Sequence, residues 1–139
     1  MAAQMPTIGA VQVDAGDSRV TVFPSAPQSA SLNSADLENY AWRGVRLTLD
    51  ITAVTGTTPS MTIKLQAKDP LSGKYVNIPG AAFAAKTATG TSQLTIYPGI
   101  AAAANVSVND ALPRDWRAVA TITGTTPVFT FSLGAAYLR

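Results

Sequence analysis

The string Thr-Gly-Thr-Thr-Pro occurs twice in the chain, at 55–59 and at 123–127. Around the first copy, apolar side chains occupy every second position at 45–53 and again at 61–67. A period of two is typical of a β-strand that buries one face. Because Gly and Pro interrupt the alternation at each string, we predict two β-hairpins that turn there.

The first predicted hairpin has a defined register. Pairing around its turn would place Leu49 opposite Leu65 on the buried face and Asp50 opposite Lys64 on the exposed face, where opposite charges attract. The second hairpin would pair 118–123 with the alternating residues that follow the second string. We interpret the two hairpins as similar long β-ribbons whose apolar rows face each other.

Shorter segments complete the predicted sheet. Strands are expected at 19–23 and 75–78, and at 81–85 and 93–97 with a hairpin turn between the last two. Together with the four long strands they number about eight, which indicates an all-β fold, a two-sheet β-sandwich of jelly-roll type. Single helical turns are expected at 34–40 and 100–104.

We divide the chain into an extended N-terminal arm, 1–18, and a single β-sandwich domain, 19–139. The arm is rich in small and polar residues with little to anchor it. Pro24–Ser34 is expected to be a second weakly anchored segment, and Pro98–Pro113 is a long connection for so small a domain, of a length that is often functional.

The composition bounds the possible functions. A chain of 139 residues is long enough for one domain with a core of its own. Hydrophobic residues make up 47% and charged residues only 13%, so the surface must be largely uncharged, which suits packed assemblies. The net charge is +2 and the basic residues are scattered, so we expect no nucleic-acid partner. Pro and Gly interrupt both long uncharged stretches, and the first ten residues lack a signal-peptide pattern, so we expect a soluble protein without a membrane partner.

The residues that most catalytic sites use are missing. The sequence has no His and no Cys, which removes the commonest general base, nucleophile and metal ligands. Neither close acidic pair, Asp14 with Asp17 or Asp110 with Asp115, has the spacing of a calcium loop. We therefore expect no enzyme activity, and no catalytic, cofactor-binding or metal-binding residues or small-molecule substrate.

Two Trp-Arg pairs precede alternating strands and admit two interpretations. Either the rings close the ends of the core, or the Trp and Arg side chains anchor a partner protein, as both residue types often do at interfaces. Under the second interpretation, the neighbouring residues Tyr40 and Arg114 are added to the two Trp-Arg pairs. The candidate protein-interface set contains six residues: Tyr40, Trp42, Arg43, Arg114, Trp116 and Arg117.

Five segments, which span 39–138, are built from turn and strand residues: 39–45 (Asn-Tyr-Ala-Trp-Arg-Gly-Val), 49–57 (Leu-Asp-Ile-Thr-Ala-Val-Thr-Gly-Thr), 68–75 (Lys-Asp-Pro-Leu-Ser-Gly-Lys-Tyr), 97–99 (Tyr-Pro-Gly) and 112–117 (Leu-Pro-Arg-Asp-Trp-Arg). In these segments the chain resembles small virion proteins of tailed bacteriophages, in particular the jelly-roll cement or head decoration proteins. The resemblance does not cover the N-terminal 35 residues.

The resemblance implies a structural role in the virion. Such a subunit would be made in the host cytoplasm and bind the outer surface of the capsid, with the major capsid protein and itself as partners, a homo-dimer being favoured over a trimer. The arm at 1–18 would strengthen capsid binding, and the candidate contact loops would be 24–41 and 98–114. The alternative is a tail or fibre recognition module, a carbohydrate- or receptor-binding β-sandwich, which would need an exposed ring among Tyr40, Tyr75, Tyr97 and Tyr137. A hydrolase is the third and least favoured possibility.

Overall fold

The computed structural model describes residues 18–139, which form eight β-strands and no helix. The all-β prediction is confirmed for these residues, whereas the predicted arm lies, apart from Ser18, outside them. The strands are β1 (Arg19–Gln28), β2 (Leu32–Asn33), β3 (Leu37–Glu38), β4 (Gly44–Lys68), β5 (Tyr75–Ala82), β6 (Gly90–Ile96), β7 (Ser107–Val108) and β8 (Asp115–Leu138).

The two long strands, β4 and β8, pair with each other in antiparallel fashion over almost their whole length. The prediction of two hairpins is therefore wrong. Leu49 lies opposite Leu133 rather than Leu65, and Asp50 lies opposite Ser132 rather than Lys64. The alternating apolar pattern is compatible with either pairing, because both bury the same face of each strand.

The chain does not turn at the two Thr-Gly-Thr-Thr-Pro strings, because the strings pair with each other. Thr57 lies opposite Thr125, and the ladder shifts register on both sides of this pair. Within each string the Gly and the second-last Thr have positive φ angles, 112° and 48° in the first copy and 123° and 47° in the second. The two strings thus form one local break in the ladder, related by an approximate two-fold axis.

Each long strand has different neighbours on the two sides of this break. The first half of β4 pairs with β6, and its second half pairs with β5. The first half of β8 pairs with β2 and β3, and its second half pairs with β1. All eight strands belong to one sheet. The sheet is mixed, because β6 and β7 pair in parallel whereas the other paired strands are antiparallel.

The sheet folds back on itself. Its two halves, which are the strands on either side of the break, bury their apolar faces in a common core. Trp116 and Tyr137 lie near opposite ends of β8, yet their rings meet edge to face with centroids 6.3 Å apart. A straight strand would separate them by roughly 70 Å. The largest fully buried side chains come from both halves: Leu47, Leu49, Met61, Ile63, Leu65, Phe83, Leu94, Ile96, Trp116, Phe129, Phe131 and Leu133.

The shorter predicted elements are partly confirmed. The segments 19–23 and 75–78 are strands within β1 and β5. The hairpin predicted between 81–85 and 93–97 is wrong, because β5 and β6 both pair with β4. The helical turns predicted at 34–40 and 100–104 are also wrong: the first contains β3, and the second contains a bridge from Ala103 to Ser107.

Candidate functional site

The six candidate interface residues come from two segments that the fold brings side by side. Residues 39–43 lead into β4, and residues 112–117 lead into β8. The backbone N–H of Asn39 donates to the Arg114 carbonyl at 2.6 Å, and that of Leu112 donates to the Arg43 carbonyl at 3.0 Å. The N–H of Arg43 also donates to the Leu138 carbonyl at 2.9 Å, so the end of β8 joins the same region.

Asn39 holds this region together, although no pattern in the sequence predicts this role. It is the one buried polar side chain among the described residues, at 7% exposure. Its Nδ2 donates to the carbonyls of Trp42 at 2.7 Å and Leu112 at 3.1 Å, while its Oδ1 accepts from the Trp42 N–H at 2.8 Å. One amide group therefore fixes both segments, because it satisfies three backbone groups at once.

An exposed cluster, the Tyr40 patch, consists of Glu38, Tyr40 and Arg114. The Tyr40 hydroxyl donates to Glu38 Oε1 at 2.8 Å, and an Arg114 nitrogen lies 3.8 Å from Glu38 Oε2. The Arg114 guanidinium lies 5.7 Å from the centre of the Tyr40 ring. The hydrogen bond to the Glu38 carboxylate raises the pKa of Tyr40 above its ordinary value. Tyr40 nevertheless remains 50% exposed, so the patch presents an aromatic ring and a cation to solvent.

Trp42 lies at the margin of the core. Its ring stacks on Tyr137 with centroids 6.3 Å apart and an interplanar angle of 11°. The Arg139 guanidinium lies 5.2 Å from the Trp42 ring, and the Arg139 carbonyl accepts a hydrogen bond from Tyr97. Trp42 is half-buried and the adjacent Arg43 is exposed. Trp42 therefore has features of both interpretations, since one side of the ring packs inward while part of it meets solvent.

Trp116 is fully buried, as the core interpretation expects. Its ring packs edge to face against Tyr137, and its Nε1 has no hydrogen-bond partner among the described residues. A partner protein could not touch this ring unless the core opened. Trp116 therefore supports the candidate site from the core and does not form part of its surface.

Arg117 points to the outer face of β8 and belongs to a separate group. Its guanidinium lies 3.5 Å from the centre of the Tyr75 ring, and its Nε donates to Gln66 Oε1 at 2.9 Å. Gln66 in turn donates to Asn77 at 2.9 Å. Arg117 is thus held by neighbouring strands, through contacts with Tyr75 and Gln66 rather than with the residues of the Tyr40 patch.

The Tyr75 hydroxyl links this group to an ion pair. Asp36 accepts hydrogen bonds from Lys68 Nζ at 2.8 Å and from the Tyr75 hydroxyl at 2.7 Å. The hydrogen bonds from Lys68 and then Tyr75 lower the pKa of Asp36, and the bond to Asp36 raises the pKa of Lys68. Both ionised side chains are about a third or more exposed, so solvent screens much of their attraction.

The four tyrosines differ in how far their rings are available. Tyr137 is buried, Tyr75 is covered by Arg117, and Tyr97 is half-buried. Tyr40 is the one tyrosine whose ring is half or more exposed in the described part of the chain. The structure therefore brings a single exposed tyrosine to this surface rather than a flat row of rings.

Residues 18–139 contain no group of three or more acidic side chains placed to hold a metal ion. In the same range the structure has no helix long and apolar enough to cross a bilayer. Comparisons of the chain with models of protein families, with curated proteins and with solved structures found no match.

Proposed function

We propose that this chain is a structural subunit of a virion, a cement or decoration protein that binds the outside of a tailed-phage head and stabilises contacts between major capsid proteins. The observation that carries the proposal is the Tyr40 patch. An exposed Tyr and an exposed Arg stand together on a rigid support, and these residue types dominate the energetics of protein interfaces.

The rigid support matters because ordering a flexible loop on binding reduces affinity. The Asn39 amide already fixes the backbone at Trp42 and at Leu112, next to the patch. The strand before Asn39, β3, is fixed by its pairing with β8. The patch can therefore meet a partner with little further loss of conformational freedom.

The low charge of the chain also supports an assembled role. Such a surface can be covered by neighbours with little desolvation of charged groups. In the proposed arrangement the sheet forms a jelly-roll-like sandwich whose two layers are the folded-back halves. The subunit would self-associate, as a dimer in preference to a trimer, so that two modest contacts with the shell act together.

A cement protein acts through linkage. A ligand that binds the assembled shell, but not its dissociated subunits, stabilises the shell in proportion to the logarithm of free ligand over its dissociation constant. Empty heads saturated with this protein should therefore resist heat better than bare heads.

The decisive experiment is co-sedimentation of the purified chain with empty heads from a phage whose genome encodes it. Tyr40→Ala and Arg114→Ala test the patch. Their matched controls are Leu71→Ala and Lys74→Ala, which truncate exposed side chains in the turn between β4 and β5. We expect each patch variant to weaken binding about tenfold, as for an interface hot spot, while the controls bind like the parent.

Two results would reject the proposal. In one, the parent chain does not sediment with heads at any concentration; in the other, patch and control variants bind equally well. Binding to a surface polysaccharide that depends on Tyr40 would instead favour the recognition module. Light scattering of the isolated chain, whose mass is 14.4 kDa, tests self-association directly.

A further inference from the structure

The edges of the sheet differ in how they are protected against pairing with another strand. A free edge presents unpaired backbone N–H and C=O groups, and proteins usually interrupt it with proline, charge, a register shift or a very short strand. In β1 the interruption consists of Pro24, Pro27 and two register shifts, and in β5 it consists of Pro79 and one register shift. The strands β2 and β3 have only two residues each. These four strands therefore offer little to another strand.

The first part of β6 has none of these protections. Its register with β4 is regular from Gly90 to Ile96. It contains no proline, and the sequence from 87 to 109 has no charged residue. Within residues 18–139 its side away from β4 pairs only with β7, at Thr95 and Ile96. We call residues 90–94, on the side away from β4, the β6 edge.

The free backbone groups of the β6 edge follow from the pairing with β7. The N–H groups of Thr95 and Tyr97 donate to carbonyls at and beside β7, each at 3.0 Å. Because the backbone of a strand repeats every two residues, the N–H and C=O groups of Thr91 and Gln93 point to the same side. Among residues 18–139 these four groups have no partner strand.

The side chains of the β6 edge leave these groups uncovered. Thr91 Oγ1 donates to Asp50 Oδ1 at 3.0 Å, and Gln93 Nε2 donates to Thr48 Oγ1 at 3.2 Å. Both side chains therefore reach back over β4, away from the edge. Gly90, Thr91 and Gln93 are all exposed, so another strand can approach the edge within the described part of the chain.

We propose that the β6 edge pairs with the same edge of a second copy of this chain, in antiparallel fashion across a two-fold axis at Ser92. In this register Thr91 of each copy lies opposite Gln93 of the other. Residues opposed in this way exchange two main-chain hydrogen bonds, so the two pairs form four bonds and satisfy every free group of both edges. The proposal rests on the self-association contained in the proposed function, but not on binding to a capsid.

The absence of charge favours a second copy as the occupant. A two-fold antiparallel pair brings each residue close to its own counterpart, so a charge in the edge would meet a like charge. The nearest charges, Arg46 and Asp50, lie on β4, one strand behind the edge. Asp50 would be about 14 Å or more from its counterpart, three strand spacings, where salt screens most of the repulsion.

The test is sedimentation equilibrium of the full chain at low salt over a range of concentrations, without phage heads. Gln93→Lys and Gln93→Glu each place two like charges at diagonal positions about 7–8 Å apart across the axis. A mixture of the two variants places opposite charges there instead. As the matched control, Thr21→Lys adds the same charge to an exposed position on β1, at another edge of the sheet. Circular dichroism melting establishes that each variant is folded.

We expect the parent to change from a monomer of 14.4 kDa to a dimer as its concentration rises. Because the contact is narrow, the dissociation constant should be about 1–100 µM. Each Gln93 variant alone should dimerise at least about fivefold more weakly, whereas the mixture should recover to within about twofold of the parent. Thr21→Lys should dimerise like the parent.

A parent that stayed monomeric up to about 1 mM would overturn the proposal and leave the edge to a strand of another protein. A trimer would also overturn it, as would a dimer that Gln93→Lys weakens no more than Thr21→Lys does. Should one Gln93 variant fail to fold, the other decides against the same charge change at Thr21. Because no head is present, failure of this test leaves capsid binding untouched, and failure to sediment with heads leaves the dimer untouched.

Discussion

Gly56 lies directly against the backbone of Thr126, so that a Cβ atom built on Gly56 would be 2.7 Å from the Thr126 carbonyl oxygen. The relationship is reciprocal, because a Cβ on Gly124 would be 2.8 Å from the Thr58 carbonyl oxygen. The two strings therefore lie in close contact where they pair, and each glycine makes room for the other string.

Gly56→Ala and Gly124→Ala should each strongly destabilise the fold. Both glycines have φ angles that side chains rarely adopt, 112° and 123°, and the added methyl group would meet backbone that cannot rotate away. We expect a loss of about 2–4 kcal/mol in the free energy of unfolding, measured by urea denaturation.

Gly73→Ala is the matched control for this prediction. Gly73 also has a positive φ of 74°, but nothing lies within 4 Å of its Cβ position. Backbone strain alone should cost about 1 kcal/mol there. If the three variants lost similar stability, close approach of the strings would not be what requires glycine at 56 and 124.

The same pairing of the two strings explains why the sequence predicted the strands but not their partners. Alternation at 45–53 and 61–67 identifies strands and their buried faces. Both are confirmed except at Ala53, which is exposed because the ladder shifts register after Ile51. A string of Gly, Thr and Pro next to such strands favours a turn by composition. The pairing partner, however, is the identical string elsewhere in the chain, and local patterns carry no information about a contact at that separation.

The candidate site was partly predictable for a similar reason. Aromatic and basic residues at 40–43 and 114–117 can be recognised by type, but their proximity depends on the Asn39 amide. A lone Asn between two strands is ordinary in loops, so no sequence pattern indicates its role. Burial and three backbone partners distinguish it, and only the folded chain shows these.

Asn39→Ala should destabilise the region that carries the Tyr40 patch. The change leaves two carbonyls and one N–H without their partner in a buried place, and each such group costs about 1–3 kcal/mol if water does not reach it. Because partial relaxation is expected, we predict a total loss of about 2–4 kcal/mol by urea denaturation. Asn33→Ala, at an exposed position on β2, should change stability by less than about 0.5 kcal/mol. Equal effects of the two changes would show that the Asn39 amide does not hold these segments.

The ion pair of Asp36 with Lys68 should make a small, pH-dependent contribution. The pKa of Asp36 is lowered from its ordinary value of 3.8, so its contribution is present above that value and is lost as the pH falls through the lowered folded value. The pKa of Lys68 is raised from 10.5, so on the alkaline side the pair persists until the pH passes the raised value.

A double-mutant cycle with Asp36→Asn and Lys68→Gln measures this coupling. Both side chains are a third or more exposed, so we expect at most about 1 kcal/mol at neutral pH and a decrease as salt is added. The coupling should decrease as the pH falls below 3.8 and through the lowered pKa of Asp36, because protonation removes the carboxylate charge. A coupling energy that stayed constant while Asp36 became protonated would contradict the assignment of the ion pair.

Substitutions at Trp116 should lower stability, whereas a substitution at Tyr40 should weaken binding. Trp116→Ala removes a fully buried indole and should cost about 3–5 kcal/mol, whereas Trp116→Phe keeps most of the ring. Since the Trp116 Nε1 has no partner in the described part of the chain, Phe also removes an unsatisfied polar group, which offsets part of the lost volume. We expect Trp116→Phe to cost about 1–2 kcal/mol and to leave head binding unchanged once the variant is folded.

Tyr40→Ala should do the reverse, with a melting temperature close to that of the parent and weaker binding. If folded Trp116→Phe lost binding as Tyr40→Ala does, the contact surface would extend to the core beneath Trp42, and the Tyr40 patch alone would not account for recognition.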